Sequence, residues 1–237
     1  MSADSPSTPS TFCGAARTHG PTAVLLLLIV AALYGVFQYV PTEREMGLVQ
    51  RIFYFHVASA ISAYVGFFLV FVAGIGYLRT PDDRWDRLGQ AAAELGVMFS
   101  VIVLITGPIW ARPIWGNFWR WEPRLTTMLI TFTIYVAYLM VRVYGDPGAQ
   151  TRRFAAAVGI IAFVCVPLVR YSVNMWAEEQ QLHPRQTALD PRMLQTRYLT
   201  YTTFAALFAY LLRLRLDQLR AAQRLEELEA HLEDQRR

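Results

Sequence analysis

Residues Ile52–Leu78, IFYFHVASAISAYVGFFLVFVAGIGYL, contain no Asp, Glu, Lys or Arg. A bilayer core of about 30 Å is crossed by about 20 apolar helical residues, so this run is long enough to span. His56 is the ionisable exception, four residues inside the start of the run and roughly 6 Å deep at about 1.5 Å per residue. A titratable group at that depth is a functional candidate, set against the plainer role of a satisfied structural histidine.

Working outward, five more uncharged stretches follow the same rule: Thr18–Thr42, Leu95–Ala111, Leu125–Val141, Phe154–Val169 and Tyr198–Leu212. The last four are short, and flanking Arg side chains that snorkel to the interface lengthen them. The expectation is an all-α polytopic membrane protein with six transmembrane helices, a short interfacial tryptophan-rich segment and a C-terminal amphipathic helix. Composition agrees: of 237 residues 54% are apolar and 17% charged, against about 45–50% and about 25% in soluble domains.

All 22 basic residues are Arg. Without Lys there is neither a Schiff-base lysine nor a Walker-A phosphate loop. The net charge of +4 is spread along the chain, which speaks against nucleic acid. Cys13 and Cys165 form neither CxxC nor CxxCH, so thioredoxin-like chemistry and covalent c-type haem are excluded.

Three regions are expected. Residues 1–21, rich in Ser, Thr, Pro and Gly, form a disordered tail. Residues 22–213 hold the six spans, with the tryptophan-rich segment at 110–124. Residues 214–237 form an amphipathic helix. The apolar run Val24–Val40 is long for a signal peptide and reads as a retained anchor. In the tail helix Leu212, Leu216, Leu219, Ala222, Leu225, Leu228 and Leu232 recur every three or four residues, as a solvated extension or a partner-binding stripe. With cytoplasmic termini thirteen Arg lie inside and nine outside, the arrangement that positive-inside bias favours.

Parity then places the connections after spans one, three and five on one face. The first leads through Arg51 to His56, the third runs from Ala111 to Arg124, and the fifth contains His183. Trp110, Trp115, Trp119 and Trp121 fall within 12 residues. Trp belts anchor ordinary membrane proteins, yet four in one connection, with Gly116 allowing close approach, suit a shelf for a flat apolar ligand. Trp115 and Trp119 would stack across a helical turn, while Pro108, Pro113 and Pro123 keep the segment from being a long regular helix. Pro123 suits the first turn of the next helix. Two neutral imidazoles with aromatic walls, and Arg for carboxylates, meet the needs of haem iron. Arg51, Arg112, Arg120, Arg124 and Arg170 are candidates for the propionates. Glu94 reads as a favourable charge near a helix N-terminus.

Trp115-Gly-Asn-Phe-Trp119-Arg-Trp121-Glu-Pro-Arg124 resembles the WGxxWxWD signature of haem-handling proteins in cytochrome c maturation. Gln50-Arg-Ile-Phe-Tyr-Phe-His56 and Thr106-Gly-Pro-Ile-Trp110 narrow the resemblance to the CcmC family. The resemblance covers roughly residues 22–212. It implies a non-enzymatic subunit in the bacterial cytoplasmic membrane that holds noncovalent haem b at the outer face and presents it to the haem chaperone CcmE. The implied partners are the ATP-binding-cassette subunits CcmA and CcmB and the small membrane subunit CcmD. His56 and His183 are the implied axial ligands, and Trp115, Gly116, Trp119, Trp121, Glu122 and Arg124 the implied haem platform. Glu122 stands where the signature has Asp, so the start of span four is expected to differ. The spacing from Tyr171-Ser-Val-Asn-Met-Trp176 to His183 is longer than the family pattern. A b-type cytochrome for transmembrane electron transfer, a different cytochrome c synthase system and an unrelated transporter are the competing readings. One embedded histidine argues against the cytochrome, and the lack of paired intramembrane charges argues against the transporter.

Overall fold

A computed structural model describes residues 12–146, 148–175 and 190–236. The described residues form α1 (Phe12–Tyr34), α2 (Ile52–Arg79), α3 (Asp83–Trp115), α4 (Pro123–Tyr144), α5 (Ala149–Ala162), α6 (Cys165–Met175) and α7 (Pro191–Gln235). A π-helical turn, Gly35–Tyr39, prolongs α1, and a 3₁₀ turn, Leu48–Arg51, leads into α2. The described residues are all-helical, and five stretches are long and apolar enough to cross a membrane: Gly20–Tyr39, Leu48–Arg79, Asp83–Trp115, Pro123–Tyr144 and Ala149–Ser172.

The α2–α3 pair is the spine. A Cβ on Gly66 would lie 2.9 Å from the Ala92 carbonyl and from Gly96 Cα, and one on Gly96 would lie 2.6 Å from the Phe67 ring. The two backbones touch because these positions lack side chains. Phe67 stacks on Tyr135 of α4 at 3.7 Å between centroids, and Phe99 packs on Phe204 and Phe208 of α7. α1 lies against α7, where the Thr22 and Tyr210 hydroxyls are 3.1 Å apart.

Several expectations are corrected. α1 starts at Phe12, inside the stretch read as a disordered tail, and continues through Gly20 and Pro21; residues 1–11 lie outside the described residues. The fifth uncharged stretch is two helices. Pro167 has no N–H and its ring displaces the Phe163 carbonyl, so that carbonyl instead accepts from Val166 N at 3.0 Å and the axis breaks at Phe163–Val164. Tyr198–Leu212 is the middle of one continuous 45-residue helix rather than a separate element.

At the N-terminal end of α3, charge ties the helices together. Asp86 accepts from both Nη1 and Nη2 of Arg142 on α4 at 2.8 Å, in a buried pair. Asp83 meets Arg152 of α5 at 2.6 Å and accepts from Gln223 of α7 at 2.7 Å. Glu94, expected to serve a helix N-terminus, lies well inside α3 and binds Arg215 Nη2 of α7 at 2.8 Å. The reason is register: Glu94 and Arg215 occupy facing turns of antiparallel neighbours.

Candidate functional site

The opposite end of the bundle carries the residues singled out above. His56 lies in the second turn of α2, half-buried, with Nδ1 2.9 Å from Thr106 Oγ1 of α3. Thr106 spends its one hydroxyl proton on the Ile102 carbonyl at 2.7 Å. Its oxygen therefore accepts from His56 Nδ1–H, which puts the imidazole lone pair on Nε2. That tautomer is the one a metal-ligating histidine adopts when its other nitrogen is held by the surrounding shell.

Trp110 walls the imidazole edge-on, with centroids 5.8 Å apart, and Phe53 closes behind it at 6.1 Å. Gly107 lies alongside, where a Cβ would come 3.4 Å from His56 Cε1, at van der Waals contact. Thr106 was legible only as a motif letter and Trp110 as one of the clustered tryptophans; their one-turn spacing on α3 is the signal that both face one neighbour.

The tryptophan segment departs from expectation. α3 runs through Pro108 and Pro113 as far as Trp115, so neither proline ends the helix. Gly116 ends it in the left-handed region at φ 77°, its N–H bonded to the Arg112 carbonyl at 2.9 Å. A side chain at Gly116 would meet nothing within 4 Å, so backbone conformation, not space, calls for glycine there. Trp115 and Trp119 therefore do not share a helical turn. Trp119 packs instead on Trp121, edge to face at 5.6 Å. Trp115 and Trp119 are half-buried, and Trp121 is 75% exposed.

Glu122 does the work expected of Asp. It is buried at the N-cap of α4, its Oε1 accepts from Leu125 N–H at 3.1 Å, and Pro123 holds the first helical position. The longer side chain reaches the same donor, so the start of α4 is preserved. Arg124 follows, half-buried, and Tyr64 of α2 lies within electrostatic reach of both Arg124 and Arg170. The Arg112 guanidinium sits 4.4 Å above the Phe118 ring. Buried Nε atoms of Arg51 and Arg197, with Trp119 Nε1 and Thr126 Oγ1, have no hydrogen-bond partner among the described residues.

His183 and Trp176 lie outside the described residues. Where the fifth connection rejoins the bundle, Asp190 caps α7 by accepting from Arg192 N–H at 2.8 Å. Met193 then packs on Val36, Val40 and Tyr54, and Tyr39 Oη donates to Gln195 Oε1 at 2.9 Å. The first and third connections thus meet through His56 and Trp110, and the first and fifth through Tyr54 and Met193.

The profile of one protein family, described as CcmC: Heme exporter protein C, matches residues 3–231. The chain belongs to the CcmC family. It is 30% identical to Heme exporter protein C of Rhodobacter capsulatus over 87% of each chain. It is 31% identical to Heme exporter protein C of Escherichia coli K12 over 72% of this chain and 70% of that one. With Heme exporter protein C of Bradyrhizobium diazoefficiens the identity is 30%, over 65% of this chain and 58% of the relative. CcmC membership carries a role in haem handling for cytochrome c maturation and a multi-pass membrane protein.

Proposed function

We propose that this protein is a haem-delivery subunit without catalysis of its own. It binds haem b noncovalently at the outer face of the bacterial cytoplasmic membrane and presents it to the chaperone CcmE. The observation that carries this reading is the His56–Thr106–Ile102 relay. It holds one embedded imidazole by its Nδ1, so that Nε2 is the nitrogen that would bind iron.

Other features fit a flat dicarboxylate. Trp110 flanks His56, the Trp119–Trp121 pair offers apolar ring surface, and buried guanidinium N–H groups of Arg51 and Arg197 want acceptors that propionates would supply. On this reading His56 and His183 would hold the haem iron. Trp115, Gly116, Trp119, Trp121, Glu122 and Arg124 shape the platform, Gly116 and Glu122 by fixing its two helix ends. Two imidazole ligands would supply a coordination that disfavours oxygen chemistry.

The middle of α7 serves as the sixth span, both termini are cytoplasmic, and the amphipathic end of α7 stands in the cytoplasm. Residues 22–213 act as the haem-handling domain, the residues before them as a peripheral N-terminal segment, and 214–237 as the continuation of α7 beyond that domain. CcmA, CcmB and CcmD are the partners on this reading.

The test is the absorption spectrum of protein purified after haem-replete expression. The native chain and the His56→Ala and His183→Ala variants are compared. A low-spin haem signal that weakens in each variant supports both ligands; an unchanged spectrum and haem content in either variant removes that residue from the assignment.

A further inference from the structure

α7 has two faces that behave differently beyond its last buried turn. One face carries Arg215, bonded to Glu94, and Gln223, bonded to Asp83, and seals α7 onto α3. The other carries Leu214, Leu225, Leu228 and Leu232, exposed by 42%, 60%, 59% and 53%. Leu225 lies about 15 Å past Arg215 along the axis at about 1.5 Å per residue. Leu225, Leu228 and Leu232 also follow Gln223, the last α7 residue bonded to α3, so these three lie past that contact, where exposure of apolar surface to water is unfavourable.

The exposed positions follow a register. Leu214, Gln218, Ala221, Leu225, Leu228, Leu232 and Gln235 alternate steps of four and three, which is the seam of a two-stranded coiled coil. In that register Arg224 flanks the seam on one side and Glu229 on the other. Two parallel copies would set Arg224 of each helix against Glu229 of the other. Parallel is also the direction forced on two chains inserted in one membrane with one topology. Helix nucleation is already met, because the seam continues a formed 45-residue helix.

We propose that the seam of Leu225, Leu228 and Leu232 pairs with the same seam of a second copy, making the full-length protein a parallel dimer through the end of α7.

The test uses the full chain in membranes, with Cys13 and Cys165 changed to Ser and single cysteines introduced. Leu228→Cys is expected to give disulfide-linked dimers under mild oxidation, and Ala230→Cys, on the far side of the same turn, at least tenfold less. Arg224→Glu should lower cross-linking at position 228 severalfold, and adding Glu229→Arg should restore it. Equal cross-linking at 228 and 230, no recovery in the doubly reversed chain, or linkage of Leu228→Cys only to a different protein would overturn the proposal. Haem content should stay unchanged throughout, so this test fails or succeeds apart from the haem reading.

Discussion

At its N-terminal end α3 is tied to its neighbours by charge: Asp86 to Arg142, Asp83 to Arg152, Glu94 to Arg215. At its C-terminal end the same helix meets its neighbours through rings and a single hydroxyl. There Trp110 faces His56, Phe53 backs Trp110, and Thr106 holds the imidazole. Arginine is present at both ends but is used differently. At the first end the guanidiniums find carboxylates from this chain. At the second, Arg112 lies over Phe118 and no carboxylate pairs with it, Arg51 or Arg197 among the described residues; a buried Nε without a hydrogen-bond partner occurs at both ends, on Arg142 at the first and on Arg51 and Arg197 at the second. The first end is held by ion pairs within the chain, and the second by ring contacts and one hydroxyl.

The comparison breaks most severely at the buried ion pair. Arg142→Ala leaves Asp86, 12% exposed, with the longer Arg152 Nε contact at 3.7 Å, and removing one partner of a buried pair costs up to about 3–5 kcal/mol. A clear fall in the thermal unfolding midpoint in detergent is expected, with the haem spectrum of the folded fraction unaltered. A change in the spectrum at unchanged stability would mean that the two ends are not separable.

At the other end the expected pattern is reversed. Thr106→Val keeps the shape of the side chain but removes the acceptor for His56 Nδ1–H. Loss of such a supporting contact lowers metal affinity by about 10–100-fold, read by haem titration, while the unfolding midpoint stays close to native. Equal loss of affinity and stability would recast Thr106 as a packing residue.

Smaller effects sharpen the picture. Glu122→Ala removes the α4 cap at a cost of about 1 kcal/mol, and Glu122→Asp should keep it. If Glu122→Asp loses haem while remaining as stable as the native chain, the carboxylate touches the ligand as well as the helix end. Arg215→Ala is the mildest change, because the pair with Glu94 is partly exposed and such pairs contribute about 0–1 kcal/mol.

The spans were legible because charge cannot be hidden in a bilayer: Ile52–Leu78 and Leu125–Val141 fall inside α2 and α4. The two helices of the fifth stretch were not, since a hydropathy run does not say which proline breaks the axis. Pro167 does and Pro108 does not: before Pro167 the Phe163 carbonyl turns to Val166 N–H, whereas α3 runs on through Pro108 to Trp115. His56 announced itself as a lone ionisable group in an apolar run. Thr106 did not, because a threonine among apolar residues most often bonds only its own helix, and its second bond crosses to a partner 50 positions away. Glu122 was read as a departure from the pattern, yet it caps α4 because Pro123 fixes the geometry that its longer side chain has to reach.

The account rests on the His56 end of the bundle facing outward while the end of α7 faces the cytoplasm. Intact cells carrying the chain without its native cysteines, and with Trp121→Cys, His183→Cys or Leu228→Cys, can be treated with a membrane-impermeant thiol reagent. Labelling at 121 and 183 from outside, with 228 protected until the membrane is opened, is the predicted result. Labelling at 228 from outside, or 121 and 183 answering from opposite sides, would contradict it.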